Sequence, residues 1–126
     1  MPENANPAPG FAAHPDHTIT VSPLGETVTV SVAGKPLAKS DKALLLQEKT
    51  YPGVVYIPFD DIAFDRMEQT TTATHCPFKG DATYWRLADR PEDGDVMWAY
   101  QTPFDEMTGI RNHGAFYGNK VDIVLG

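Results

Sequence analysis

The sequence predicts a mostly β domain with one or two short helical turns, and three observations carry that prediction. Glu26 to Val32 alternates cleanly, with Val28, Val30 and Val32 on one side and Thr27, Thr29 and Ser31 on the other. Val54-Val55-Tyr56-Ile57 is a β-branched and aromatic run, the composition of a central strand. Ala82 to Leu87 and Val96 to Gln101 read as two strands joined by a loop ending in Asp93-Gly94, a hairpin signal.

The remaining segments fit around these. Residues 1–16 hold Pro2, Pro7, Pro9 and Pro15 with Gly10 and show no periodicity, so a disordered or loosely attached N-terminal arm is expected. His14 and His17 at its end read as solvated. Residues 17–126 form the single β domain. His17 to Ser22 alternates, and Pro23-Leu24-Gly25 turns the chain. Pro36 to Ser40 is a short edge piece, because proline cannot donate to a sheet. Ala43 to Glu48 is too short for a stable helix and reads as a buried strand. Pro58 suits the start of a short helical turn, with Asp60 and Asp61 near its positive end. Glu68 to Thr74 is threonine-rich and extended. Phe104 to Thr108 is a helical turn closed by Gly109. Ala115-Phe116-Tyr117 and Val121 to Leu125 are the last strands.

Composition bounds the function. The chain has 126 residues, a formal net charge of −7 and scattered lysines and arginines. Nucleic acid is therefore not expected as a partner, since phosphate binding needs clustered basic side chains. One cysteine leaves no internal disulfide and no cysteine-rich zinc site. No apolar run approaches the ~20 residues of a membrane span. The N-terminus lacks a basic n-region and an apolar h-region, so no secretory signal is expected and the expected location is cytoplasmic.

The densest chemistry lies in Thr74-His75-Cys76-Pro77-Phe78-Lys79-Gly80 and the strand that follows. Pro77 restricts Cys76 to extended conformations, and neighbours on an extended chain point oppositely. His75 and Cys76 therefore do not pair, and Cys76 reads as a small buried hydrophobe. A nucleophilic Cys76 would need its base from elsewhere, and His113 is the histidine left for that role. The same parity places His75 and Lys79 on one side, with Gly80 absorbing a left-handed turn. That makes a corner suited to phosphate or carboxylate; the plainer alternative is a backbone-bonded His75 beside a solvated Lys79. Tyr84, Trp85, Trp98, Tyr100, Phe116 and Tyr117 lie on predicted strands and read first as core, although two tryptophans can also line a pocket for a planar ligand. His75, Cys76 and His113 lack any metal-ligand spacing, so no metal is expected. The carboxylates of Asp60-Asp61 and Asp105-Glu106 read as surface residues.

These strings also resemble a known family. Thr74 to Gly80, followed by Ala82 and Tyr84-Trp85, is similar to the signature of the DUF427 family. Ala38 to Glu48, Tyr56-Ile57-Pro58 with Asp61-Ile62, Trp98-Ala99-Tyr100 with Pro103, and Ala115-Phe116-Tyr117 with Val121-Asp122 follow the family's order. The resemblance covers roughly Thr27 to Val124. Gly114 and Gly118 depart from it, standing where a larger apolar residue and a proline are usual. The resemblance implies an Mss4-like architecture of two twisted sheets folded over one another, and a domain of unknown function. It also brings a nucleotidyltransferase label, which no Gly-Ser nucleotidyltransferase motif here supports. Better-known Mss4-like proteins hold zinc through paired CxxC motifs, absent here. Methionine sulfoxide reduction on that fold would have to run through Cys76 without a resolving cysteine.

The expected site is a pocket bordered by His75, Lys79, Gly80, Trp85, Trp98 and His113, with His75, Lys79 and Cys76 as catalytic candidates and no cofactor. The expected function is binding of a small anionic or nucleotide-like molecule, with turnover left open. The alternative is a non-catalytic module whose concave sheet face docks a protein or peptide.

Overall fold

The structure, a computed structural model, describes residues 6–126. Ten strands follow in chain order: β1 (Ile19–Pro23), β2 (Val28–Val32), β3 (Lys35–Ser40), β4 (Leu44–Glu48), β5 (Val54–Pro58), β6 (Met67–Cys76), β7 (Gly80–Leu87), β8 (Asp95–Ala99), β9 (His113–Phe116) and β10 (Asp122–Leu125). They make two sheets, one in the order β1-β4-β5-β9-β8-β7-β6 and one in the order β10-β2-β3. Every pairing is antiparallel. The mostly β class read from the alternation is the architecture observed, and β3 lies at a sheet edge as its proline requires. Among the described residues, no helix is long and apolar enough to cross a membrane.

Helical pieces are more numerous than expected. A single turn, α1 (Pro9–Ala13), lies in the arm, and 3-10 turns cover Phe59–Asp61, Phe64–Arg66, Pro91–Asp93 and Asp105–Ile110. The turns at Phe59–Asp61 and Asp105–Ile110 are the two expected after Pro58 and at Phe104; the others have no room for an apolar period that pattern reading could use.

The two faces of the larger sheet have different fates. Register sets Trp85 opposite Met97 and Met97 opposite Phe116. These side chains, with Ile57 and Leu87, pack against Val28, Val30, Val32, Leu37 and Ala38 of the smaller sheet. That shared core is the main reason the sheets lie over one another, because each supplies one apolar face. Gly114 sits in this core, where an added Cβ would come 2.5 Å from Met97 Sδ. With Met97 and Ile62 packed as they are, a side chain at Gly114 fits only if those two give way. The alternate residues Tyr56, Tyr84, Trp98 and Ala115 turn to the opposite face. There Met107 and Ile110 of the last 3-10 turn cover part of the sheet, and the rest stays open.

Over its described part, the arm is docked rather than loose. Asn6 N–H donates to Asp105 Oδ2 at 2.8 Å, and Asp105 N–H returns a bond to the Asn6 carbonyl at 2.9 Å. Ala8 is buried, and its N–H donates to Glu106 Oε1 at 2.8 Å. Asp105 and Glu106, which the sequence reads as surface carboxylates, are exposed and supply these bonds. Residues 1–5 of the expected arm lie outside the described residues.

Candidate functional site

The open face of the larger sheet holds a cleft of about 280 Å³. All five tyrosines of the chain line it, Tyr51, Tyr56, Tyr84, Tyr100 and Tyr117, together with Trp98. Alternation explains four of these six: Tyr56, Tyr84 and Trp98 share a sheet face, and Tyr100 continues the parity of Trp98 just beyond β8. Tyr56 and Tyr100 form the floor, with 1% and 8% of their surface exposed, whereas Tyr51 is an open lip at 64%. Trp98 Nε1–H donates to the Tyr56 hydroxyl at 3.3 Å, and the Trp98 and Tyr117 rings lie 4.6 Å apart, tilted by 50°.

Burial pushes the Tyr56 hydroxyl up to about 12, with Cys76 and Glu48 nearby adding to the shift against the bond from Trp98. Burial likewise pushes Tyr117 up to about 12 and raises Tyr100. All three stay protonated at neutral pH, so the cleft offers O–H donors set among aromatic surface.

One end of the cleft is charged. Lys79 Nζ–H donates to Glu48 Oε1 at 2.6 Å. His17 Nε2–H donates to the other carboxylate oxygen, Oε2, at 2.7 Å. The Lys79 and Glu48 side chains are 10% and 18% exposed, so this is a largely desolvated pair. Burial pushes the Glu48 carboxyl up, but the hydrogen bonds and charges of Lys79 and His17 together outweigh it and hold it below the ordinary glutamate value.

The turn between β6 and β7 explains how Lys79 gets there. Cys76 pairs with Gly80 across the hairpin, so Pro77-Phe78-Lys79 is the connection. Gly80 takes φ +118°, a left-handed backbone that calls for glycine, and packs beside Thr102 and Pro103. The turn breaks the extended parity on which the His75–Lys79 corner depended. Lys79 falls on the Cys76 side, into the cleft, and is 8% exposed rather than solvated. His75 remains on the outer side, where its Nδ1–H donates to Asp81 Oδ1 at 2.7 Å. The expected opposition of His75 and Cys76 is what the strand shows, with Cys76 half-buried against Tyr56 and Tyr100.

The six residues expected to border one pocket are thus not brought together. Lys79 and Trp98 line the cleft. Trp85 lies on the opposite face, in the core between Phe59 and Phe64. His113 sits at the far end of β9, bonded through Nδ1–H to the Arg111 carbonyl at 2.8 Å. Gly80 shapes the turn rather than lining the cleft. His75, Cys76 and His113 do not gather, and among the described residues no three His, Cys, Asp or Glu side chains are grouped to hold a metal ion.

Sequence reasoning missed Glu48, His17 and the gathering of the tyrosines. The only available signal for Glu48 was its parity with Leu44 and Leu46 at the end of β4. One Asp-x-Asp spacing, Asp93-Gly94-Asp95, was also missed, and it would bear on nucleotidyltransferase chemistry. Its carboxylates are committed elsewhere: Asp95 accepts from Thr70 and Thr72, and Asp93 pairs with Arg90.

No curated protein matches the chain. Residues 20–126 match the family described as a domain of unknown function, DUF427, a span that holds every strand but the first residue of β1. With its strands, its THCPFKG turn and the tyrosine-lined face all inside that match, the chain belongs to the DUF427 family.

Proposed function

We propose that the cleft binds a small planar ligand whose acceptor atoms meet Lys79 and the tyrosine hydroxyls, a description that fits a nucleotide-like or other ring-bearing anionic molecule. One observation carries this reading: five tyrosines and Trp98 converge on one cavity with Lys79 at its end. Aromatic walls bind a ring through stacking and apolar burial. Protonated phenols and an ammonium group are donors, so they select carbonyl, carboxylate or phosphate oxygens. The volume lies near the small end of ordinary ligand pockets, ~300–1,000 Å³. A ligand anion has to share Lys79 with Glu48, which favours a compact acceptor over a polyanion.

The alternative of a peptide-docking module draws on the same face. It would need an open apolar surface, whereas this one has polar atoms at its floor and its end. The exposed apolar side chains Ile123, Val124 and Leu125 lie on β10, in the other sheet.

The test is a thermal-shift and tryptophan-fluorescence screen against nucleobases, their 5′-monophosphates and aromatic carboxylates. A binder should raise the melting temperature by binding the folded state alone. Lys79→Met should weaken it about ten- to a hundredfold, the worth of a charge-assisted bond of ~1.5–3 kcal/mol. His75→Ala should leave it unchanged. If no compound binds, or if binding ignores Lys79, the cleft is not the site.

A further inference from the structure

The turn that delivers Lys79 is gripped from outside by a segment beyond the family match. Phe78 does not line the cleft and is partly covered by the arm. The His17 ring stacks on it at 3.9 Å with 17° between the planes. The Phe11 ring meets it edge-on at 5.0 Å. Gly10 N–H donates to the Pro77 carbonyl at 2.9 Å. Gly10 lies so close that an added Cβ would stand 2.8 Å from the Phe78 ring and 2.9 Å from the Pro77 oxygen. His17 also reaches past Phe78 to Glu48, the partner of Lys79. The arm therefore touches the charged end of the cleft at two points: the turn bearing Lys79 and the carboxylate that Lys79 grips.

We propose that the arm from Asn6 to His17 is a working part of the cleft, a strap that holds the Lys79 ammonium and the Glu48 carboxylate in place and whose release frees Lys79. The turn is also tied to the domain, by Phe104 N–H to the Lys79 carbonyl at 3.0 Å, so the strap acts on Pro77 and Phe78, the two residues that present Lys79. Displacement of the strap, by a partner or by cleavage, would then regulate the site. Its functional meaning rests on the ligand reading above, but the strap itself can be tested without a ligand.

Amine acetylation of the full-length protein, read by peptide mass spectrometry, reports each lysine separately. Lys79 should react slowly, and the exposed Lys35 and Lys39 quickly. Gly10→Val lifts the strap by steric contact without changing any residue of the cleft. It should raise the Lys79 rate, relative to Lys35 and Lys39, about tenfold, equivalent to ~1.4 kcal/mol in the opening equilibrium. A protein that fails to fold would instead expose every lysine together; Phe11→Ser, which removes a contact and adds no bulk, then serves in its place. A merely stabilising arm would lower the melting temperature and leave the Lys79 ratio untouched. An unchanged ratio in a folded variant overturns the strap, whether or not a ligand has been found. A strap that opens as expected beside a screen that finds no binder would sink the ligand reading alone.

Discussion

Lys79 Nζ and Glu48 Oε1 are 2.6 Å apart, although 31 residues separate them in the chain and one belongs to a hairpin turn while the other ends a strand. Both side chains are largely out of water. The pair therefore ties the β6–β7 hairpin to β4 across the cleft. It also decides how much of the Lys79 charge a ligand meets.

Removing one partner leaves the other charge poorly solvated, which costs about 1–3 kcal/mol or somewhat more for an ion. Glu48 retains His17 when Lys79 is lost, so Lys79→Met should destabilise less than Glu48→Gln. The double variant leaves neither charge stranded. Its loss, measured by urea unfolding, should fall short of the sum of the singles by about 0.5–3 kcal/mol. Additive losses would mean that the pair is not coupled in solution.

The cleft should also show itself in alkali. Tyr56 and Tyr117 ionise at about 12 in the fold against 10.0 for an ordinary phenol, and Tyr100 is raised as well. A raised folded value means that the unfolded chain releases its proton first. The stability these groups contribute is therefore whole below pH 10 and drains away as pH climbs toward 12. Absorbance titration at the phenolate band should resolve late-ionising tyrosines, with unfolding close behind. Tyr56→Phe should remove one late phenol and flatten the loss of stability over that window. If all five tyrosines titrate together near 10 in a folded protein, the floor of the cleft is wetter than the structure has it.

How much of this was readable from sequence differs between fold and site. Period-two alternation reports the side of a strand on which a residue lies and gave β2, while β-branched composition gave β5 and the Asp-Gly loop gave the β7–β8 hairpin. Alternation cannot report which face another sheet covers. Trp85 and Trp98 look equivalent in the sequence, yet the smaller sheet buries the first and leaves the second open. Parity also holds only while the chain stays extended. The turn at Pro77-Phe78-Lys79 broke the count and sent Lys79 away from His75. His17 was read as a solvated tail residue because its partners, Glu48 and Phe78, are distant in sequence and nothing local announces them.

The two tryptophans should separate stability from binding. Trp85 is 6% exposed and stands edge-to-face with Phe59 and Phe64 at 5.9 and 5.7 Å. Cutting it to alanine opens a large void in the core that joins the sheets, and such losses run to about 3–5 kcal/mol. That change could consume most of a small domain's stability. Trp98 is half-buried beside space already empty, so Trp98→Ala leaves fewer lost contacts and a smaller penalty. It does remove the indole that bonds the Tyr56 hydroxyl and packs on Tyr117. Trp85→Phe keeps an aromatic ring in the core and makes Trp98 the sole indole reporter. In that background, a cleft ligand should quench or shift the emission. In Trp98→Phe, the remaining Trp85 signal should barely respond. Urea denaturation gives the stability order, and fluorescence titration with a compound from the screen gives the binding order. An equal response from both tryptophans would place the ligand away from the open face. A Trp98→Ala loss as large as that of Trp85→Ala would mean that the cleft is closed core.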